Sequence, residues 1–388
     1  MGHRGEGLAR VGDKPVYVPF TLPGERARIR YSGQHGRLLG VETTSPERID
    51  PICPHFGQCG GCQLQHWAPD AYAEFKRGLV ESALLRAGLD AQVEPMVDAR
   101  GAGRRRATLH VRGKSVGFNA PRSHRVHEID RCPILVPGLA GAPAIARAIA
   151  KAAGDCDIAF TETLFGIDAA ISGAQRDDLL KLGRIAAEFD LARLSLDGEE
   201  VLVPRPPEIM VGKARVRLPP GAFLQATAEA ETILAELVTK AVDGALRVAD
   251  LFCGIGTFAL RLAEKAQVLA SDADKRAVLA LNSAAQHTQG LKTVRADTRD
   301  LFHEPVSARE LSGYEAVVMD PPRAGAAAQS RELAQSDVPL VVSVSCDPAS
   351  FARDARILAD GGYRLDPVVP VDQFAYSAHV EVVGIFRR

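Results

Sequence analysis

The back half of the chain alternates short apolar runs with helical stretches, and this restricts the possible folds more than any other property of the sequence. The apolar runs cover residues 246–252, 267–271, 293–296, 315–319 and 338–344, with helical pattern between several of them and after the last. Such alternation of short strands and helices suits a parallel sheet covered on both faces, with the helices supplying the cover. The expected architecture over 221–388 is therefore α/β, a doubly wound and mostly parallel sheet of the Rossmann type.

The front half reads differently. Residues 15–20, 27–31 and 38–44 are strand candidates separated by the turn signals Leu22-Pro23-Gly24-Glu25 and Ser32-Gly33-Gln34-His35-Gly36, which suits a small β-barrel over 1–48. Residues 49–70 are dominated by Cys, Gly and Pro and read as loop, and 71–87 have helical periodicity ending at Gly88. From about 106 to 220 the pattern is mixed and strand-like, with Pro-rich breaks at 203–207 and 218–221, and 227–242 reads as one helix. The expected domains are the barrel at 1–48, a central α+β domain at 49–220 and the α/β domain at 221–388.

A formal net charge of −1 says nothing about nucleic acid, but its distribution does. Residues 100–131 hold nine Lys/Arg against two acids, enough to neutralise several phosphates; a solvated charged face is the plainer alternative. No run approaches the roughly 20 apolar residues of a membrane helix. The first residues, MGHRGEGLARVGDK, lack the apolar core of a signal peptide, so a cytoplasmic protein without a membrane partner is the default expectation.

The run Asp250-Leu251-Phe252-Cys253-Gly254-Ile255-Gly256-Thr257 closes the first apolar segment and opens a helix. Glycines at the end of a parallel strand let a ligand approach the backbone. Asp272 ends the next strand, where an acid can accept both hydroxyls of a ribose, and Asp297 ends the one after, within reach of an adenine amino group. A dinucleotide is the competitor to S-adenosylmethionine. Three details favour the methyl donor: Phe258-Ala259 replaces the third glycine of the dinucleotide motif, Asp250 precedes the loop, and a fourth strand ends at Asp320-Pro321-Pro322.

Seven cysteines, an odd number, with no export signal argue against a disulfide framework. Cys53, Cys59 and Cys62 fall within ten residues, and Cys132 is followed by Pro133. Four sulfurs suit zinc or an iron–sulfur cluster; the absence of two close pairs and the proline after the last cysteine favour the cluster. His55 and His66 lie beside these cysteines and read as packing or RNA-facing, while Cys156 and Cys253 read as small buried side chains. Cys346, in Ser345-Cys346-Asp347-Pro348, lies 26 residues after Asp320 and 35 before Glu381. It is a candidate nucleophile, although a buried cysteine after an apolar strand is common.

Taken in order, these motifs resemble those of the RNA 5-methyluridine methyltransferases, in particular the iron–sulfur branch acting on 23S ribosomal RNA. The resemblance spans nearly the whole chain. It includes a TRAM-like (OB-like) RNA-binding module around Leu22-Pro23-Gly24-Glu25 and Ser45-Pro46-Glu47-Arg48, the cysteine segment 53–66, the DPPR run at 320–323, the cysteine run at 345–348, and the set Asp372, Phe374, His379 and Glu381. It implies a class I methyltransferase fold for the C-terminal domain, with S-adenosylmethionine and a [4Fe-4S] cluster as cofactors. Cys53, Cys59, Cys62 and Cys132 would ligate the cluster. Gln225, Phe252, Gly254, Thr257, Asp272, Asp297 and Asp320 would line the donor site. Cys346 would be the nucleophile and Glu381 the base. Asp347 and Thr257 stand where the family usually has Asn, Thr227 where Asn is common, and Ala375 where Pro is usual.

The chemistry explains the residue types. Uracil C5 is too weak a nucleophile to accept a methyl group until a thiolate adds to C6 and makes the ring an enolate; a base must then remove the C5 proton. The base must leave its stack, so single-stranded or loop RNA bound by a monomer is the expected partner. The alternatives are a tRNA uridine methyltransferase, which the iron–sulfur segment and barrel disfavour, and an RNA-binding protein without catalysis.

Overall fold

The computed structural model describes residues 1–175 and 178–388. Strands β1 (Gly7–Val11), β2 (Lys14–Val18), β3 (Arg26–Ser32) and β4 (His35–Thr43) form a sheet in the order β1-β2-β4-β3. The first strand was not among the expected ones: Gly, Arg and exposed Leu8 mask its alternation. Among the described residues no pairing joins β3 to β1, so the four strands form an open sheet where a small barrel was expected. The two TRAM-like turns meet, because Arg48 forks onto Glu25 at 2.5 and 2.7 Å. Leu22, Leu64, Trp67 and Tyr72 pack together and seat the sheet on the cysteine segment and on α1 (Pro69–Arg86).

The short strand β5 (Val97–Asp98) follows, then a seven-stranded sheet. Its members are β6 (Arg106–Arg112), β7 (Ser115–Asn119), β8 (Val126–Glu128), β9 (Cys156–Thr163), β10 (Gly166–Ser172), β11 (Arg193–Leu196) and β12 (Glu199–Leu202). They are ordered β12-β11-β10-β9-β6-β7-β8. Helices α2 (Ala142–Ala153) and α3 (Leu179–Glu188) bury apolar stripes against it, including Ile145, Ile149, Leu182 and Ile185.

The hairpin of β13 (Glu208–Val211) and β14 (Ala214–Arg217) and helix α4 (Ala228–Ala241) lead into the α/β unit. Its elements are β15 (Arg247–Leu251), α5 (Ala259–Leu262), β16 (Gln267–Asp272), α6 (Lys275–His287), β17 (Val294–Thr298), β18 (Ala316–Met319), α7 (Ala327–Gln335), β19 (Leu340–Ser345), α8 (Pro348–Asp360), β20 (Arg364–Leu365), β21 (Val369–Asp372) and β22 (Glu381–Arg387). The order is β17-β16-β15-β18-β19-β22-β21-β5, with β20 on β22. The first five are mutually parallel and β22 runs against β19. Alternate residues feed two cores. Val248, Ala270, Val318 and Val342 pack with α4, α5 and α6, whereas Ala249, Leu251, Val317 and Val341 pack with α7 and α8. The sheet is doubly wound, as the alternation of the sequence requires.

Three pieces of the segment 49–220 belong to this unit: α1, β5 and the β13–β14 hairpin. Val80, Ala83 and Leu84 of α1 join the core of α7 and α8, and β5 extends the sheet by pairing with β21. The hairpin contributes Ile209, Val211, Ala214 and Val216 to the opposite core. Each offers an apolar face that the central sheet leaves uncovered. Strand order reverses between β15 and β18, so the crevice beyond their carboxyl ends is where a ligand fits an open α/β sheet.

Candidate active site

On the donor side, β15 delivers Asp250, fully buried, with neither carboxyl oxygen hydrogen-bonded among the described residues. Burial pushes it up to about 8, a rise the nearby Ala259 amide offsets only in part. The chain then turns through Phe252 at φ 63°, a conformation that strains a bulky side chain. The turn is held because the N–H groups of Phe252 and Cys253 both donate to Ser271 O, at 2.8 and 3.1 Å. Gly254, at φ 53°, donates to Asp272 Oδ2 at 2.9 Å and has open space where a Cβ would stand. Gly256 sits at φ 95°, a conformation that strains any other residue, and a Cβ would also lie 2.4 Å from Leu281 Cδ1. Half-buried Thr257 follows at the entry to α5. Asp272 is half-buried and Asp297 exposed, and Ser271 Oγ donates to Asp297 at 2.5 Å. Free glycine backbone beneath open space, ringed by carboxylates on adjacent strand ends, fits a cationic nucleoside such as S-adenosylmethionine.

On the acceptor side, two carboxylates are joined through two amides. Gln225 Nε2 donates to Asp320 Oδ2 at 2.9 Å. Gln373 Nε2 donates to Gln225 Oε1 at 2.7 Å and to Glu381 Oε2 at 2.6 Å. The backbone N–H of Ala226 donates to Gln373 Oε1 at 2.7 Å, which fixes both amide orientations. Arg105 holds the Gln225 end: its Nε donates to Gln225 O at 3.1 Å and its guanidinium pairs with Glu231 on α4. Gln373 is 1% exposed and was missed from sequence, although it sits inside the terminal motif between Asp372 and Phe374. Burial raises Glu381 to about 7 against the pull of the Gln373 hydrogen bond. Burial, reinforced by the charges of Glu381 and Asp250, drives Asp320 well above the carboxylate range.

Cys346 comes directly after β19. Ser345 pairs with Val382 of β22, so the next residues on the two antiparallel strands are Cys346 and Glu381. Burial pushes the half-buried thiol up to about 11, helped by the carboxylates of Glu381 and Asp320 and opposed by Arg323. Asp347 caps α8 by accepting from Ala349 N and Ser350 N, both at 3.0 Å. Asn would cap as well, so this departure is physically conservative. Thr227 likewise caps α4, and its hydroxyl donates to Ala99 O at 2.6 Å. Arg323 lies 2.8 Å from His379 Nε2; a guanidinium only donates, so that nitrogen carries no proton.

The terminal segment is pinned from two directions. Lys76 of α1 is fully buried and donates to Asp372 Oδ1 at 2.5 Å, while the Tyr72 hydroxyl donates to Asp372 Oδ2 at 2.7 Å and accepts from Tyr376 N at 3.0 Å. From the other side, Gln63 N and Leu64 N both donate to Tyr376 O, at 2.8 and 3.0 Å. The cysteine segment therefore touches the loop that carries Gln373.

Cys53, Cys59, Cys62 and Cys132 line a single cavity of about 290 Å³, with Phe223, Arg104 and Gln373 also in its wall. Burial raises the thiols of Cys59, Cys62 (to about 12) and Cys132 (to about 11). Among the described residues no group of three or more His, Cys, Asp or Glu side chains is drawn in far enough to hold a metal ion. The basic stripe is partly neutralised: Arg100, Arg105, Arg112 and Arg122 have acidic partners, and Arg104, Arg106, Lys114, Arg125 and Arg131 have none among the described residues. No described helix is long and apolar enough to cross a membrane.

The family model described as tRNA (Uracil-5-)-methyltransferase matches residues 208–388, so its start coincides with the β13 hairpin. An uncharacterised RNA methyltransferase of Brucella suis is 44% identical over 399 residues, covering 100% of this chain and 96% of its own. The 23S rRNA (uracil(1939)-C(5))-methyltransferase RlmD of Alkalilimnicola ehrlichii is 31% identical over 428 residues, covering 100% and 95%. The structure of the Pyrococcus abyssi tRNA (uracil-54, C5)-methyltransferase with S-adenosyl-L-homocysteine superposes with a TM-score of 0.77 over 99% of both chains at 22% identity, a likeness of fold. A thiol and a buried carboxylate paired across two strands, beside a donor crevice and in a chain with such relatives, place this protein in the S-adenosylmethionine-dependent RNA uracil-C5 methyltransferase family.

Proposed function

We propose that the protein methylates C5 of a uridine in 23S rRNA through a covalent adduct on Cys346, with Glu381 as the base. The observation that carries this is the register of β19 and β22, which sets Cys346 against Glu381 while Gln373 holds the carboxylate in place. The methyl donor supplies an electrophilic methyl group and a positive charge. A positive charge in the site would offset the part of the Cys346 thiol's rise that comes from the neighbouring carboxylates, while the larger part, burial, remains. The half-buried Cys346 thiol loses its proton to solvent as its sulfur bonds to uracil C6, and the C5–C6 π electrons move onto the ring as an enolate. C5 would then bond to the methyl group as the donor's S–CH3 bond breaks, its electron pair staying on sulfur in the departing neutral thioether. The ionised form of Glu381, about half of the population near pH 7, then takes the C5 proton, and the electron pair restores the double bond as the C6–S bond breaks. Gln225, Phe252, Gly254, Thr257, Asp272, Asp297 and Asp320 would hold the donor.

The four cysteines lining one cavity suit a [4Fe-4S] cluster better than a lone ion. The proline that follows Cys132 is the feature that favours the cluster over zinc. The cluster's role would be structural, bracing the segment that holds Tyr376. The 31%-identical relative favours ribosomal over transfer RNA as substrate. The test is tritium release from RNA labelled with [5-³H]uridine: 23S rRNA plus methyl donor should release tritium and tRNA should not. Release from tRNA alone would reverse the choice of substrate.

A further inference from the structure

A second concavity opens beside Gln373. It measures about 560 Å³ and is walled by residues 100–104, Pro133, Ile134, Glu229 and the turn at Tyr376. One wall is apolar or aromatic, and the Arg100 guanidinium lies 5.8 Å from the centre of the Tyr376 ring. Asp98 already neutralises Arg100, through contacts of 2.8 and 2.6 Å. Arg104 differs. Among the described residues no carboxylate pairs with it, and it stands between this cleft and the cysteine cavity, whose wall it also forms. An unpaired guanidinium held in a wall is costly unless a ligand meets it.

We propose that this cleft takes the nucleotide adjacent to the target uridine, with its phosphate on Arg104 and its base against Tyr376 and Pro133. The assignment rests on the RNA-uracil reading above and extends it to a neighbouring position. Gln373 lines this cleft and also touches Glu381, so an occupant is one residue removed from the reacting base. A uridine swung out of its stack carries its flanking phosphate with it. One unpaired cation matches one phosphodiester charge, and the aromatic wall is a sequence-tolerant stacking surface. Glu229 on the rim sets a limit, since a second phosphate would meet a carboxylate there.

The test uses the full-length protein and a short single-stranded RNA carrying 5-fluorouridine, in which the fluorine blocks the final proton removal and traps the adduct. Each phosphate flanking the fluorouridine is replaced in turn by a neutral methylphosphonate. Arg104→Gln should weaken binding about tenfold, the loss of one charge-assisted hydrogen bond. It should also flatten the dependence of log affinity on log salt by about 0.7, one phosphate contact on a single strand. One methylphosphonate position should weaken the wild type equally and leave Arg104→Gln unaffected. Arg104→Lys should recover most of the affinity. Unchanged methyl-donor affinity and an unchanged melting temperature would show that the fold has not moved. If the wild type traps RNA but Arg104→Gln binds as tightly, or loses affinity equally with every substituted RNA, the cleft assignment is wrong. If the wild type traps no RNA, the uracil chemistry itself falls, and the cleft assignment with it.

Discussion

Replacing Gln373 by Met keeps the volume of a buried side chain and removes both ends of the amide bridge. The Gln373 hydrogen bond is the influence that holds Glu381 down against burial, leaving it at about 7. A hydrogen bond to a charged group contributes about 1.5–3 kcal/mol. At about 1.4 kcal/mol per pH unit, its loss should raise Glu381 by about one to two units. Near pH 7 the ionised fraction would fall from about one half to about one tenth or less. Proton removal from C5 should slow by about five- to fiftyfold at that pH and recover towards the wild-type rate as pH rises through 9. Stability should fall too, because Ala226 N–H and Gln225 Oε1 lose partners at about 1–3 kcal/mol each. Single-turnover tritium release measured from pH 6 to 9.5 separates the effects, since lost stability alone lowers the rate at every pH. A Gln373→Met profile with the wild-type midpoint would refute the reasoning.

Other outcomes follow from the same geometry. Lys76→Met leaves the Asp372 carboxylate buried beside Tyr72 without its cation, and should cost about 3–5 kcal/mol by chemical denaturation; a cost near zero would mean that the pair holds nothing in place. Asp250 titrates at about 8 when folded against 3.8 for an ordinary Asp, and Glu381 at about 7 against 4.5. Each native carboxyl keeps a proton that the unfolded chain releases, so this stability is complete below the unfolded value and is lost as pH rises through the folded one. The melting temperature of the ligand-free protein should therefore decline between about pH 4 and 8, and Asp250→Asn should flatten the decline; equal slopes would contradict the assignment of that titration. Anaerobically purified protein should absorb broadly near 400 nm and lose the band in Cys62→Ser, while a colourless protein holding one zinc would exclude the cluster.

The α/β sheet was legible because its signal is local. Each strand from 246 to 344 is a short apolar run, and the structure shifts their ends by only one or two residues. Asp272, Asp297, Asp320 and Cys346 were findable because each ends such a strand. Gln373 was not, because its role comes from partners 148 residues upstream and 8 downstream, a pairing no local pattern records. The membership of α1 and β5 in the catalytic sheet was hidden for the same reason: Val80 and Leu84 show that a face is apolar, not which face covers it. Neither the left-handed turn at Phe252 nor the one at Tyr376 has a glycine to announce it. The cap formed by Asp347 was within reach, since an Asp followed by Pro at a helix start is a local signal.

The central claim is that Cys346 bonds to the uracil and Glu381 releases it. Its most direct test is mass spectrometry of the Glu381→Gln variant after incubation with 23S rRNA and methyl donor, followed by nuclease and protease digestion. The account predicts a 5-methyluridine adduct on the peptide containing Cys346, absent from the Glu381→Gln, Cys346→Ala double variant. An adduct on another residue, or full methylation by Cys346→Ala alone, would contradict it.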